Sequence, residues 1–277
     1  MFRQDCSHHL LTTILPFWEN LTDWERGGWF GYVNHDLSVE RGAHKGCILN
    51  SRILWTFSTA ARVTGDKSLL RYARHAFAFL PHFEDTERGG VYWSVTFDGK
   101  PLDTTKHTYN QGFAIYALSA YYRLTKDPVA LTYAKKIFHL IEQHCTDSEG
   151  YLEAFTIDWK PESNEKLSEN GVMAERTMNT LLHVFEGYSG LYQATQTPEV
   201  GTELRALLDI WGKHMFQPEK RRQEVFFDKN YHSLIDLQSY GHDIESAWLL
   251  DWGCDLLGDA ALAEKVHRMT DVLAQSV

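Results

Sequence analysis

The chain has 277 residues, of which 43% are hydrophobic, and a formal net charge of −10 at pH 7. The acidic balance, without a long basic cluster, argues against a nucleic-acid partner. We find neither a signal peptide nor an apolar run of about 18 residues, the length that a membrane span needs. The four cysteines are far apart in sequence, so we expect reduced thiols in a cytoplasmic protein.

Helical periodicity predicts a series of helices separated alternately by short turns and longer loops. In chain order the predicted helices span residues 5–21, 47–64, 67–82, 109–125, 128–144, 174–195, 199–215, 242–257 and 260–276. Gly65-Asp66 and Lys126-Asp127-Pro128 mark short turns, and we expect the helices on either side of each turn to lie antiparallel.

The longer loops repeat a glycine-containing pattern. The string ERGGWFGY at Glu25–Tyr32 returns as ERGGVYWS at Glu87–Ser94, an offset of 87 − 25 = 62 residues. Weaker copies follow at 148–155 and 223–228. A unit of two helices and one aromatic hairpin, repeated about every 60 residues, is typical of α/α repeat folds.

Such repeats either close into an (α/α)6 barrel with a central pocket or stay open as a solenoid that binds partners on its concave face. The long aromatic loops favour the all-α (α/α)6 barrel, because they can wall the mouth of a pocket. About nine of the twelve helices of such a barrel are present. We therefore expect residues 1–277 to form a single barrel domain that is truncated at its C-terminus.

In such a barrel the second, fourth, sixth and eighth helices form the inner ring, and their N-terminal ends meet at one rim. Polar groups that converge there would make a binding pocket. Imidazoles titrate near neutrality and can move protons. The candidate side chains are His242, His183 and Glu245 for catalysis, and Arg52, Tyr109, Asn179 and Trp55 for substrate binding.

Each candidate also has a structural interpretation. His242 and Glu245 stand three residues apart and could simply pair at a helix start. Arg52 could be a buried ion-pair partner, His183 a hydrogen-bonded core histidine, and Tyr109 a packing aromatic.

Other kinds of site are not supported by the sequence. There is no H-E-x-x-H string and no cysteine cluster, so we predict no metal site. A phosphate-binding glycine loop is also absent, so a nucleotide site is not supported. A Ser-His-Asp triad would need a nucleophile elbow, which is absent. An inverting glycoside hydrolase would need two carboxylates across the scissile bond, whereas Asp243 and Glu245 share one helix start.

Five strings resemble the N-acylglucosamine 2-epimerase superfamily and, within it, the cellobiose 2-epimerases. They are KGCILNSRILW at 45–55, KHTY at 106–109, LSENG at 167–171, TMNTLLH at 177–183 and SYGHDIE at 239–245. The similarity runs from about Pro16 to the end of the chain. The fold of that superfamily is the (α/α)6 barrel.

The resemblance implies a carbohydrate epimerase that needs no cofactor. Its reaction would be the reversible C2 epimerisation of the reducing-end glucose of cellobiose and related β-1,4-disaccharides to mannose, through an enediolate. By position, His242 would be an acid/base at C2, and Glu245 would orient a histidine or tune its charge.

The remaining candidates receive binding roles from the same resemblance. Arg52 and Tyr109 would hold the sugar oxygens near C1 and C2, and Asn179 and His183 would bind hydroxyls or help to open the ring. The second catalytic histidine of the family lies in a C-terminal part beyond Val277. We therefore expect the 277-residue form to be poorly folded or inactive.

Three other functions stay open at this point. They are N-acylglucosamine 2-epimerisation, mannose or other aldose–ketose isomerisation, and an inactive, truncated helical-repeat remnant that binds sugar. The expected partner is a small sugar, a disaccharide, with no nucleic acid and no membrane. We expect a monomer or a weak homodimer.

Overall fold

The computed structural model describes residues 2–168 and 171–277, which are mostly helical. Glu169 and Asn170 of the LSENG string lie outside the described residues. The helices are α1 (Phe2–His9), α2 (Leu15–Asn20), α3 (Cys47–Thr64), α4 (Leu70–Phe79), α5 (Thr108–Thr125), α6 (Pro128–His144), α7 (Met178–Thr195), α8 (Pro198–Ile210), α9 (Tyr240–Leu257) and α10 (Ala260–Gln275). Within the described part, no helix combines the length and the apolar character that a bilayer crossing requires.

The predicted helices are confirmed, with differences at their ends. A π-helical segment, Leu10–Ile14, joins α1 to α2, so that they form one continuous helix. α7 begins at Met178, later than predicted, because Arg176–Thr177 is a strand. The Thr177 side chain then caps the helix by accepting a hydrogen bond from the amide of Thr180.

The helices form an inner and an outer layer, as the repeat predicts. α3, α5, α7 and α9 pack in that order as the inner layer, and each packs against the outer helix that follows it. A close approach joins α5 to α7, where a Cβ on Gly187 would lie 2.6 Å from the carbonyl oxygen of Gly112. Only glycine fits such a contact, which sets the position of Tyr109 on α5 relative to His183 on α7.

Short strands link the loops in front of the inner helices. β1 (Lys45–Gly46), β2 (Ser94–Val95) and β3 (Pro101–Asp103) form one antiparallel sheet, β4 (Lys106–His107) pairs with β5 (Ala154–Phe155), β6 (Arg176–Thr177) with β9 (Phe226–Phe227), and β7 (Phe216–Gln217) with β8 (Arg222–Gln223). The strands before α3, α5 and α7 each pair with a later loop, so the N-termini of these helices line one rim.

An ion pair with a buried cation anchors each of these three strands. The cation belongs to the strand, and the aspartate belongs to a glycine-containing turn. Successive aspartates are 62 residues apart, since 85 − 23 = 62 and 147 − 85 = 62. The repeat in the sequence therefore corresponds to an ion pair that recurs in each unit. The pairs are Lys45–Asp23 at 2.7 Å, Lys106–Asp85 at 2.8 Å and Arg176–Asp147 at 2.6 Å.

Candidate active site

A cavity of about 310 Å³ opens between the inner helices near this rim. Three of the predicted side chains line it, namely Arg52, Trp55 and Glu245. Its wall also contains Trp18, Phe113, Tyr116, Glu186 and Trp248. An aromatic wall with a few charged groups suits a sugar, which has apolar ring faces and polar hydroxyl edges.

Arg52 extends from α3 towards α5. The guanidinium carbon of Arg52 lies 4.3 Å from the centroid of the Phe113 ring, a distance at which a cation and a ring attract one another. Burial raises the pKa of the Tyr109 hydroxyl, and the Arg52 charge opposes that rise. At neutral pH this corner of the cavity therefore holds a fixed cation and a neutral hydroxyl donor.

His183 forms a polar pair on α7. Its Nδ1 atom lies 2.8 Å from Oε2 of Glu186, and only 3% of its side chain is exposed. The imidazole centroid lies 5.0 Å from that of Tyr109 and 4.6 Å from that of Phe113. A carboxylate acceptor places the proton on Nδ1 and leaves Nε2 as the nitrogen that can accept another.

Glu186 has no role in the sequence-based prediction, because it stands inside an otherwise apolar helix. Its carboxylate lines the cavity and, after burial, is the main cause of the raised pKa of Tyr116. The signal that could have found it is its spacing. His183-x-x-Glu186 repeats the spacing of His242-x-x-Glu245.

The first turn of α9 carries the other predicted acid/base group. The Nδ1 atom of His242 lies 2.8 Å from Oγ of Ser239, within hydrogen-bond distance. Asp243 is buried and accepts hydrogen bonds from Gln238 Nε2 at 3.0 Å and from the amide of Gln223 at 3.4 Å. Asp243 therefore anchors this end of the helix, while Glu245 faces the cavity.

Asn179 stands in the first turn of α7. Its Oδ1 atom is buried and has no hydrogen-bond partner among the described residues. A buried carbonyl oxygen without a donor costs free energy, so a sugar hydroxyl or a water is its natural partner. The same turn is held by Glu153, which accepts hydrogen bonds from the amide of Thr177 and, at 2.6 Å, from Oγ1 of Thr180.

Trp55 belongs to the cavity wall, whereas His107 lies outside it. Trp55 stacks on Tyr116, with ring centroids 5.0 Å apart, so the tyrosine fixes its orientation in the cavity wall. His107 is fully buried against Trp93, and both of its ring nitrogens lack a partner among the described residues. Burial and the nearby Lys166 lower the pKa of His107 to about 4. His107 belongs to the KHTY string at 106–109, but the sequence alone indicates no role for it.

Comparison with known proteins identifies the family of this chain. A family model described as N-acylglucosamine 2-epimerase matches residues 28–272.

The chain belongs to the N-acylglucosamine 2-epimerase family.

Several members of this family are close relatives. A cellobiose 2-epimerase of Eubacterium cellulosolvens is 49% identical over 285 residues, which cover 97% of this chain and 70% of that protein. The crystal structure of a sugar epimerase from a ruminal bacterium is 42% identical, with a TM-score of 0.98, and the match covers 100% of this chain and 72% of that one. The chain is thus homologous to isomerases, and the predicted (α/α)6-barrel fold is confirmed.

A second solved structure supports the same assignment. The cellobiose 2-epimerase of Bacillus thermoamylovorans B4167 is 41% identical, with a TM-score of 0.94. The match covers 99% of this chain and 71% of that one. In each case the chain spans about 70% of the relative's length.

Proposed function

We propose that these residues form the part of a sugar 2-epimerase that holds a reducing-end sugar and transfers its C2 proton, acting on cellobiose and related β-1,4-disaccharides. One observation carries the proposal. Arg52, Tyr109 and the His183–Glu186 pair meet beside one aromatic cavity, on three neighbouring inner helices. The relatives named above supply the substrate class.

The proposed chemistry begins with the open-chain sugar, whose C2–H bond lies next to the C1 aldehyde. Removing this proton leaves an enediolate whose single negative charge lies mainly on the oxygen at C1. Preorganised donors lower the free energy of such an anion. Arg52 is a permanent cation with a fixed fork of donors, and the neutral Tyr109 hydroxyl is a further donor in the same corner.

His242 is the proposed acid/base on one face of C2. Its Nδ1 atom lies within hydrogen-bond distance of Ser239 Oγ, and the imidazole would take the proton from C2. Return of a proton to the same face regenerates glucose, and delivery to the opposite face gives mannose. From the resemblance, we expect the acid/base of the opposite face in a C-terminal stretch of the relatives that this chain does not span.

His183 is proposed to open the sugar ring. Opening moves the O1–H proton to O5 while the C1–O5 bond breaks, and a buried imidazole with a fixed Nδ1 proton can take part in that transfer. Asn179 Oδ1 would accept a hydrogen bond from a sugar hydroxyl. Glu245, on the cavity wall, would favour the protonated form of a histidine at this rim.

A chimera tests the proposal. Residues 1–277 are joined to the C-terminal remainder of the Eubacterium cellulosolvens relative, and the chimera is compared with the 277-residue chain alone. Both are incubated with cellobiose in D2O, and the products are followed by chromatography and NMR. We expect the chimera to form glucosyl-mannose with deuterium at C2, and the chain alone to form none.

Each other outcome contradicts a stated part of the proposal. Turnover by the 277-residue chain alone would show that it needs no further acid/base. Release of free glucose would indicate hydrolysis. Reaction of N-acetylglucosamine or mannose, with cellobiose unchanged, would overturn the assigned substrate.

A further inference from the structure

The hairpin of α9 and α10 carries a group of metal-ligating side chains in the second half of α9, beyond the turn that holds His242. Asp251 and Cys254 stand three residues apart on α9, and His267 faces them from α10. The Nε2 atom of His267 lies 3.6 Å from Sγ of Cys254 and 3.7 Å from Oδ1 of Asp251. The ligand atoms of the three residues all lie within 4.8 Å of one another.

We propose that Asp251, Cys254 and His267 bind a divalent ion that accepts thiolate, imidazole and carboxylate ligands, of which Zn²⁺ is the type. Tetrahedral Zn²⁺ has metal–ligand bonds of about 2.0 to 2.3 Å, which puts neighbouring ligand atoms about 3.3 to 3.6 Å apart. The two measured separations from Nε2, 3.6 and 3.7 Å, are close to these values. An ion therefore fits with small side-chain movements.

The surroundings of the three ligands support the same assignment. Thr270 Oγ1 donates a hydrogen bond to Asp251 Oδ1 at 2.6 Å, and contacts of this kind orient metal ligands in proteins. Oδ1 of Asp255 lies 3.3 Å from the same imidazole nitrogen. Asp255, whose side chain is exposed, would offer a further carboxylate beside the ion.

A catalytic thiol is the other chemistry that these residue types suggest, but the geometry argues against it. In a nucleophilic triad the thiol and the carboxylate engage opposite nitrogens of the imidazole. Here both lie closest to Nε2. Burial, the largest cause, and the negative charges of Asp255 and Asp251 raise the pKa of the Cys254 thiol to about 12. A nucleophilic thiol needs the opposite, a lowered pKa.

A bound ion would change the hairpin in two ways. It would tie α10 to α9, the helix whose first two turns hold His242 and Glu245, and so would stabilise the folded chain. It would also replace the thiol proton, because only the thiolate is a strong metal ligand. Proton release on binding is therefore part of the proposal.

Cobalt is the probe that reports the thiolate directly. The reduced, EDTA-treated 277-residue chain is titrated with Co²⁺ alone and followed by near-ultraviolet and visible absorption. We expect one equivalent to produce a thiolate-to-cobalt charge-transfer band and the intense visible bands of tetrahedral Co²⁺. Zn²⁺ should abolish both, raise the melting temperature and release one proton from a weakly buffered sample.

Matched variants locate the ion. Cys254→Ser should abolish the charge-transfer band, and His267→Ala, which changes a half-exposed side chain, should weaken binding at least about tenfold. Cys6→Ala is the control, because exposed Cys6 lies near His8 and His9 on α1 and offers a competing site. Circular dichroism melting without metal checks that each variant folds.

The proposal is overturned if Co²⁺ gives no charge-transfer band. It is also overturned if the band is lost in Cys6→Ala, or if it persists unchanged in folded His267→Ala. Should Cys254→Ser fail to fold, the His267→Ala result decides alone.

Discussion

The Nδ1 atom of His183 lies 2.8 Å from Oε2 of Glu186, about one helical turn further along α7. This pair places a carboxylate behind a buried imidazole whose ring packs against Tyr109 and Phe113. An imidazole held in this way has one assigned proton and one fixed orientation. Glu186 is thus a positioning residue for the proton transfer proposed for His183.

Replacing Glu186 tests that role. In the chimera, we expect Glu186→Gln to lower kcat by about 10- to 100-fold, because the amide no longer fixes the proton on Nδ1 of His183. KM should change less than kcat, since Glu186 acts mainly through His183 although its side chain also lines the cavity. Glu199→Gln, a change of an exposed carboxylate on α8, is the control. A Glu186→Gln chimera with the parent kcat would contradict the role.

Arg52 is expected to be irreplaceable by lysine. Arg52→Lys keeps the charge but loses the planar donor fork, so we expect kcat/KM to fall by about 100-fold, the usual effect of losing one oxyanion donor. The matched control is Arg62→Lys on the same helix. Arg62 lines an adjoining cavity that shares Trp55 and Tyr116 with the cavity that Arg52 lines. Equal effects of the two changes on steady-state kinetics would argue against an oxyanion contact.

Glu153 makes the stability of the fold depend on pH. Burial raises its pKa from an ordinary 4.5 to about 7, and hydrogen bonds from Thr180 and Thr177 limit the rise. Between pH 4.5 and about 7 the folded state then binds more protons than the unfolded state. The contribution of Glu153 to the free energy of unfolding is complete below this window and is lost as the pH rises through it.

The difference in the free energy of unfolding between the parent and the Glu153→Gln variant isolates the contribution of Glu153. Glu153→Gln should remove the contribution, so its stability relative to the parent should increase from pH 4.5 to pH 7. Urea unfolding at several pH values measures it. His107, whose pKa is lowered to about 4, gives the opposite slope in both proteins and cancels in the difference. A difference independent of pH would contradict the assignment.

Two neighbouring carboxylates allow the contribution of a buried ion pair to stability to be compared with that of a pair near the surface. Asp85 pairs with Lys106 at 2.8 Å with both side chains buried, whereas Glu84 pairs with Lys136 at 2.9 Å near the surface. We expect Asp85→Asn to lower the free energy of unfolding by about 3 kcal/mol or more, because it leaves a buried cation without its counter-charge. Glu84→Gln should cost less than about 1 kcal/mol. If urea unfolding showed similar losses in the free energy of unfolding for both variants, the Asp85–Lys106 pair would not be a stabilising anchor.

The sequence was enough to predict the helical layers because their apolar faces repeat every three to four residues. It did not predict the pairing of Arg176–Thr177 with Phe226–Phe227, because strands of two residues carry too little pattern. That pairing is why α7 begins later than the periodicity indicates.

The candidate site was predicted unevenly, for a similar reason. Arg52, Trp55 and Glu245 lie in the cavity wall, where inner-ring geometry places them. Glu186 and His107 were missed because one carboxylate in an apolar helix, or one histidine before a helix, does not indicate its partners. Which side chains meet at the cavity depends on the distance between α5 and α7, and Gly112 and Gly187 set that distance.

The most direct test of the account is the entry of solvent deuterium at C2 of cellobiose, catalysed by the His242→Ala chimera in D2O. We predict that no deuterium enters C2 while the melting temperature stays close to that of the parent chimera, because the proposal assigns His242 to proton transfer and not to the stability of the fold. Deuterium entry at the parent rate, in a folded His242→Ala chimera, would contradict the central claim.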